Sequence, residues 1–340
     1  MERNIILCDF NSKEDFPFTE GLETSSALKW SSLNMETNKL HGSIFKTLKR
    51  FAIYFLFPLK IIFKRNKFDN IIAWQQFYGL NFAFWSRIFC LKKKQKLIIM
   101  TFIYKKKNGF WGKIYHWYMS FIVKSQYVDK FVCFSRNECV YYSNLFNTSI
   151  ERFKYLPLGI GYLNIVTNYR SSNKYVFSTG RSNRDYDFLI DSFFDTDYKL
   201  YIACDSLKES VNGINKNIII DRNCHGDDML KRMAECYCVV ISVKDTSISS
   251  GQLVAIQAMQ MGKPVIATIS NGLKDYVEDG ITGILIDNNK KELLNALHRL
   301  YSDEDFYNYL SLNSKRVFEE KFTIKRLGQN IGHICNSIKG

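Results

Sequence analysis

No cysteine pair in this chain has the spacing of a zinc site or a redox dithiol. The nine cysteines (residues 8, 90, 133, 139, 204, 224, 236, 238 and 335) contain no C-x-x-C, and one residue between Cys236 and Cys238 is too few for a zinc knuckle. Scattered through apolar segments, they read as reduced core thiols, the usage of a cytosolic protein. No D-x-D pair closes a strand and no His/Asp cluster has ligand spacing, so no metal site is expected. Long apolar runs are missing as well. The longest, residues 51–63, contains Pro58 and Lys60 and falls short of the ~20 residues a membrane span needs. The opening MERNIILCDF carries an acid and no apolar h-region, so no signal peptide is expected. Acidic residues nearly vanish between Lys39 and Lys130, where 19 Lys and Arg face only Asp69 and Asp129. That stretch has a net charge of +17 against +14 for the whole chain, so the remainder is slightly acidic. A uniformly basic protein would not divide this way, and no nucleic-acid module is recognisable, so no nucleic-acid partner is expected.

What is present is regular. With 340 residues, the chain exceeds the usual size of one core, and 46% apolar content with regular periodicity excludes disorder. Two α/β domains are expected. In the first half, residues 4–8, 69–74, 96–102 and 129–135 read as strands. Residues 9–21 read as a loop, 27–38 carry little pattern, and helices are expected up to residue 123 after the basic loop 104–113 and over 136–146. Gln75, Gln76, Tyr78 and Gly79 lie at the carboxyl end of their strand. His116, on an aromatic helix, reads as a core histidine. Residues 162–173 form a polar linker, with the domain boundary between Gly159 and Lys174. In the second half, strands are expected over 175–178, 199–203 and 217–220, and helices over 227–236, 290–301 and 303–318.

The stretch 239–287 organises the second half. Residues 239–243 are a short β-branched run fit for a buried strand. A polar loop follows, Ser249 or Ser250 is a natural N-cap, and LVAIQAMQM is a helix apolar on nearly all sides. Gly262 stops it as a left-handed C-cap, Pro264 prevents resumption, and residues 265–268 make the next strand. In such βαβ units ligands sit beyond the carboxyl ends of the strands. Ser249, Ser250, Gly251, Gln252 and Leu253 therefore stand where free amides and a helix dipole favour an anion.

SSGQLVAIQAMQMGKPVIAT, continued by NGLKDYVEDGITGILI, resembles the donor-binding core of family-4 glycosyltransferases. LV, AM, GKPVIA and DGITG match the family pattern in order and spacing. The resemblance implies a GT-B fold: two Rossmann-like domains facing an interdomain cleft, with a C-terminal helix crossing back to the N-domain. The domains are then 1–160, facing acceptor and membrane, and 174–323, binding the nucleotide sugar, with 324–340 as the crossover helix. Residues 155–159 (YLPLG) resemble the last N-domain strand. TGRSNRDYDFLIDSF resembles the family's G-R-x-x-x-K-G signature, shortened by a residue or two. It implies Gly180 at a close backbone approach and Arg181 and Arg184 as cations for the donor diphosphate, with the amides of Gln252, Leu253 and Val254. The loop 221–225 would contact the base and Gln257 the ribose. Two family glutamates are replaced, by Ser249 at the sugar and Gln257 at the ribose, and Ile103 stands where the family has a histidine. Gln75, Gln76 or Tyr104 is then left for the acceptor side, with Gln75, Gln76 and Ser249 as the catalytic candidates.

The resemblance implies a retaining, metal-independent transferase with no cofactor besides the nucleotide-diphosphate sugar as co-substrate. The altered glutamates leave an alternative, a catalytically silent GT-B protein supporting a partner transferase. Residues 43–65 mix large apolar side chains with Lys46, Lys49, Arg50, Lys60, Lys64 and Arg65, and residues 104–113 mix aromatic side chains with lysines of their own, the composition of an interfacial segment. The expected setting is the inner face of the cytoplasmic membrane. There the protein would be peripheral on an anionic surface and act on a lipid-linked glycan in bacterial capsule or O-antigen synthesis.

Overall fold

The structure, a computed structural model, describes residues 3–12, 16–40, 42–165, 174–207 and 216–338. The chain divides into two compact units, Met1–Leu156 with Ile324–Gly340, and Pro157–Thr323. This division falls just ahead of the boundary expected between Gly159 and Lys174. Leu158 already donates to the Tyr276 hydroxyl at 3.0 Å, and Ile160 bridges to Thr323 within the second unit. Of the linker 162–173, residues 166–173 lie outside the described residues.

The first unit holds a parallel sheet of six strands: β1 (Asn4–Cys8), β2 (Ser31–Asn34), β3 (Asn70–Ala73), β4 (Lys96–Ile99), β5 (Lys130–Cys133) and β6 (Phe153–Tyr155). Their order is β2-β1-β3-β4-β5-β6. The helices are α1 (Pro17–Ser26), α2 (Ile44–Phe63), α3 (Gln76–Ile88), α4 (Gly109–Val123) and α5 (Arg136–Phe146). Two of these helices and one strand depart from expectation. Helix α1 occupies part of the expected loop, started by Pro17 at its first turn and anchored by buried Phe18 and Leu22. Helix α4 starts within the expected basic loop 104–113, so that only its first part is loop. The last strand is Phe153–Tyr155 rather than 155–159, because Pro157 lacks the amide a ladder needs.

The second unit repeats the layering. Its strands are β7 (Tyr175–Thr179), β8 (Lys199–Ala203), β9 (Ile218–Asp221), β10 (Cys238–Ile241), β11 (Val265–Thr268) and β12 (Gly283–Ile286), ordered β12-β11-β10-β7-β8-β9 and all parallel. Around them lie α6 (Tyr186–Phe193), α7 (Asp227–Glu235), α8 (Gln252–Gln260), α9 (Lys290–Ser302) and α10 (Glu304–Val317). Helix α8 is buried at Val254, Ala255, Ile256, Ala258 and Met259, as its unbroken apolar composition predicts. Gly262 has φ +65° and ends it as expected.

The final helix, α11 (Ile324–Ser337), belongs to the first unit. Leu327, Ile331, Ile334 and Cys335 join Ile6, Phe18 and Leu22 in one buried cluster. Helices α1 and α11 approach so closely that a Cβ on Gly328 would lie 2.1 Å from the Phe18 carbonyl oxygen. The described cysteines are all free thiols, seven of them buried.

Candidate functional site

In each sheet the strand order reverses at one point, and the crevice outside the carboxyl ends there is where open α/β sheets hold ligands. In the second unit that point lies between β7 and β10, which are hydrogen-bonded neighbours. Residues 180–185 leave β7, and residues 242–251 leave β10. The two loops are stitched together. Asp185 N donates to Ser242 O at 3.0 Å, Lys244 N to Asn183 O at 3.2 Å, and Arg184 bridges to Val243. Asn183 holds the junction with its side chain. Its amide donates to Asp245 O at 2.8 Å and to Ser250 Oγ at 3.0 Å, while its oxygen accepts from Asp245 N at 2.9 Å. Its φ of +57° is one that asparagine tolerates better than most residues.

That bond explains a departure at the start of α8. Ser249 or Ser250 is the expected N-cap, but Ser250 Oγ accepts from Asn183. The cap is Gly251, with φ +94° and no side-chain hydrogen bond. The amides of Gln252, Leu253 and Val254 are first-turn groups that helix geometry leaves without intrahelical acceptors. The loop after β11 closes the other side, with Asn271 N donating to Thr246 O at 2.8 Å. A Cβ on Gly272 would lie 2.9 Å from Ser249 Cα and 3.0 Å from Ser250 N, so only glycine lets the two loops approach this closely. Asn288 braces the set from β12, donating to Val243 O at 2.8 Å and accepting from Thr268 Oγ1 at 2.6 Å.

The two arginines have different surroundings. Arg184 is 9% exposed, and its guanidinium donates through Nε to Thr179 O and through Nη1 to Ser182 O, both at 3.0 Å. Burial lowers its pKa from the ordinary guanidinium value. It lies against Gly180, where a Cβ would meet it at 2.6 Å. Two of its donors thus hold the turn. Arg181 is 72% exposed and forks onto Asp205 at 2.9 and 2.6 Å. An exposed pair of this kind contributes only ~0.2–1 kcal/mol, so a phosphate can exchange for Asp205.

The remaining predicted positions are placed as follows. Ser249 is half-buried, and its hydroxyl has no hydrogen-bond partner among the described residues. Gln257 is half-buried in α8. In the loop after β9, Asp221 accepts from the Tyr201 hydroxyl and from the amides of Asn223 (2.9 Å) and Cys224 (3.1 Å). The tyrosine bond first of all, with those amides, lowers its pKa. This carboxylate shapes its loop.

The first unit reverses between β1 and β3. Gln75 caps α3 and donates to Asp9 Oδ2 at 2.9 Å, so it and Asp9 meet at the carboxyl ends of these two strands. Gln76 accepts from Ile103 N at 3.1 Å, and Ile103 is 55% exposed. Tyr104 is buried and bonded to His116 Nδ1 at 2.9 Å, and the His116 ring stacks on Phe146. Tyr104 is therefore packed with the histidine in the core. Sequence reasoning missed Asp9, Asn183 and Asn288. Asn183, between two arginines in a glycine turn, had a legible signal; the other two had none.

Helix α2 buries Tyr54, Pro58, Ile61 and Ile62 and leaves Ile44, Phe45, Leu48, Phe51, Leu56 and Phe63 at least half exposed. Lys46, Lys49, Lys60 and Lys64 are exposed among them, whereas Arg50 and Arg65 are half-buried, Arg50 lying over the Phe51 ring. Helix α4 adds exposed Phe110, Trp111 and Trp117. Among the described residues no helix is long and apolar enough to cross a membrane, and no group of three or more His, Cys, Asp or Glu has the grouping to hold a metal.

Residues 174–303 match the family described as glycosyl transferases group 1. Among curated relatives, an uncharacterized glycosyltransferase, MJ1178 of Methanocaldococcus jannaschii, is 30% identical over 144 residues, 40% of either chain. The alpha-1,3/1,6-mannosyltransferase ALG2 of Dictyostelium discoideum is 27% identical over 106 residues, 31% of this chain and 24% of the relative. The chain thus spans less than half the length of these relatives. Among solved structures, Anabaena HepE in complex with UDP is 15% identical, with TM-score 0.68 over 98% of this chain and all of that one. WaaG, a glycosyltransferase involved in lipopolysaccharide biosynthesis, is 13% identical, with TM-score 0.61 over 97% of this chain and 99% of that one. At these identities the likeness shows the fold, the two-sheet α/β architecture of GT-B glycosyltransferases.

Proposed function

We propose that the protein is a glycosyltransferase that takes a sugar from a nucleotide-diphosphate sugar with retention of configuration, as expected of family 4, and without a metal. The observation that carries this reading is the carboxyl edge between β7 and β10, where the glycine turn that bears exposed Arg181 is bonded through Asn183 to Ser250, just ahead of the first amides of α8. Breaking a glycosidic bond to a diphosphate leaves negative charge on the departing phosphate. Preorganised amides and a guanidinium stabilise such charge without reorganising as it develops. Arg181 exchanges Asp205 for the diphosphate, the amides of Gln252, Leu253 and Val254 take its oxygens, and Arg184 keeps the turn in shape. Gln257 bonds the ribose more weakly than a carboxylate would, because charged acceptors make hydrogen bonds roughly twice as strong. The acceptor is a lipid-linked glycan of a bacterial surface polysaccharide, bound by the first unit. The exposed apolar and lysine-bearing faces of α2 and α4 support docking on an anionic bilayer, the inner face of the cytoplasmic membrane.

The test is transfer from a panel of UDP-, GDP-, ADP- and CMP-sugars to total lipid-linked acceptor in excess chelator, with the anomer of the product read by NMR. Turnover of one donor with its configuration kept is expected. Turnover that is lost with chelator and restored by magnesium would overturn the metal-independent chemistry. The vacant hydroxyl of Ser249, at the position of a family glutamate, favours a second reading, a catalytically silent protein that supports a partner transferase. Donor binding with neither transfer nor hydrolysis would select it.

A further inference from the structure

A cavity of about 740 Å³ opens at the other end of the second sheet, among the residues that begin β7 and β8 and end α7 and α9. Four tyrosines line it: Tyr175, Tyr198, Tyr201 and Tyr301. Three of these rings are fixed by their hydroxyls. Tyr175 donates to the Arg232 carbonyl at 2.5 Å, Tyr301 to the Lys174 carbonyl at 3.0 Å, and Tyr201 to the Asp221 carboxylate. Tyr198, half-exposed, meets Tyr301 edge-on at 5.0 Å. The charged lining is Lys174, Lys199 and Arg232 against the single carboxylate of Asp197. All four charged side chains are exposed, and neither lysine forms an ion pair with a described residue. Arg232 pairs only loosely with Glu235, at 3.6 Å with both half exposed.

Tyr201 is buried, with the Arg232 guanidinium over its ring at 5.4 Å, so half-exposed Tyr175, Tyr198 and Tyr301 beside Lys174, Lys199 and Arg232 form a surface that is apolar on one side and positive on the other. The C–H face of a pyranose packs on such rings, while a carboxylate on the same sugar takes charge-assisted bonds from lysine and arginine. Prior fixing of the rings lowers the ordering cost of binding. The volume lies in the range of about 300–1,000 Å³ typical of small-ligand sites. We propose that this cavity binds an acidic saccharide, a short run of sugar rings bearing carboxylates. It lies at the strand ends opposite the donor site, so it stands or falls independently of the nucleotide-sugar reading.

The experiment is a binding titration of the full chain with a galacturonic acid tetramer, with maltotetraose, inorganic phosphate and UDP as separate arms. The parent should bind the acidic tetramer roughly tenfold more tightly than the neutral one, and more weakly as salt rises. Lys174→Glu with Lys199→Glu should remove that preference, and Tyr198→Ala should weaken both tetramers several-fold. Thermal melting of each variant guards against unfolding. Arg181→Ala should bind the tetramer like the parent. Failure of the parent to bind the tetramer, equal binding of acidic and neutral tetramers, or parent-like binding by the lysine variant would each overturn the proposal. Full displacement of the tetramer by inorganic phosphate would reduce the cavity to an anion site and overturn the saccharide.

Discussion

The two sheets have the same six parallel strands, yet their switch points are made of different material. Between β1 and β3 the edge is built from side chains, the Gln75 amide on the Asp9 carboxylate beside the packed rings of Phe10, Phe16 and Trp74. Between β7 and β10 it offers backbone, a glycine turn, a left-handed Gly251 and the first amides of α8, braced from behind by the side chains of Asn183, Arg184 and Asn288. A site made of backbone does not depend on the identity of every side chain around it. On the proposed reading, the amides of the second edge serve an anion whatever side chains stand at Ser249 and Gln257. At the first edge the groups presented are side chains, so a substitution there changes the chemistry outright.

That contrast can be broken at several strengths. The largest effect is expected on the basic face of the first unit. Changing Lys46, Lys49, Arg50, Lys60, Lys64 and Arg65 to Gln should weaken binding to phosphatidylglycerol vesicles by about 4 kcal/mol. This assigns roughly 1 kcal/mol to each of the four exposed lysines and little to the two half-buried arginines. Co-sedimentation at low and high salt measures it, and salt-insensitive binding or equal binding by variant and parent would remove the membrane from the account. Next is Arg184→Ala, which leaves the Thr179 and Ser182 carbonyls without their buried donor. A loss of about 2–4 kcal/mol of stability is expected in urea unfolding. An unchanged midpoint would return Arg184 to the diphosphate.

Arg181→Ala should leave the urea midpoint alone and weaken donor binding by about 1.5–3 kcal/mol. Asp205→Asn should act in the opposite direction by less than about 1 kcal/mol, since it removes the competitor for the guanidinium. Calorimetric titration separates the two signs. The smallest shift is Gln257→Glu, which should tighten nucleotide binding by about 1 kcal/mol if the ribose lies there.

The second unit was the more legible of the two. Strands β8 and β11 and the stop at Gly262 follow from β-branched runs and the placement of glycine and proline, which are local signals. The exchange of Ser250 for Gly251 as the cap was not legible, because Asn183, 67 residues away, claims the serine hydroxyl. The different surroundings of the two arginines were hidden for a similar reason, since both sit in the same GRSNR turn and only the fold buries one of them. In the first unit the helix α1 was masked by a polar, glycine-bearing sequence that becomes helical by burying Phe18 and Leu22. The exposed face of α2 was visible as composition, but which cations stand free needed the structure.

Hydrogen–deuterium exchange with saturating nucleotide sugar tests the donor assignment most directly. The amides of Gln252, Leu253 and Val254 have no intrahelical acceptor in the free protein and should exchange fast, then slow when phosphate oxygens accept from them. The account predicts protection there and across residues 180–184. Binding of the nucleotide sugar with unchanged exchange in both segments would contradict it.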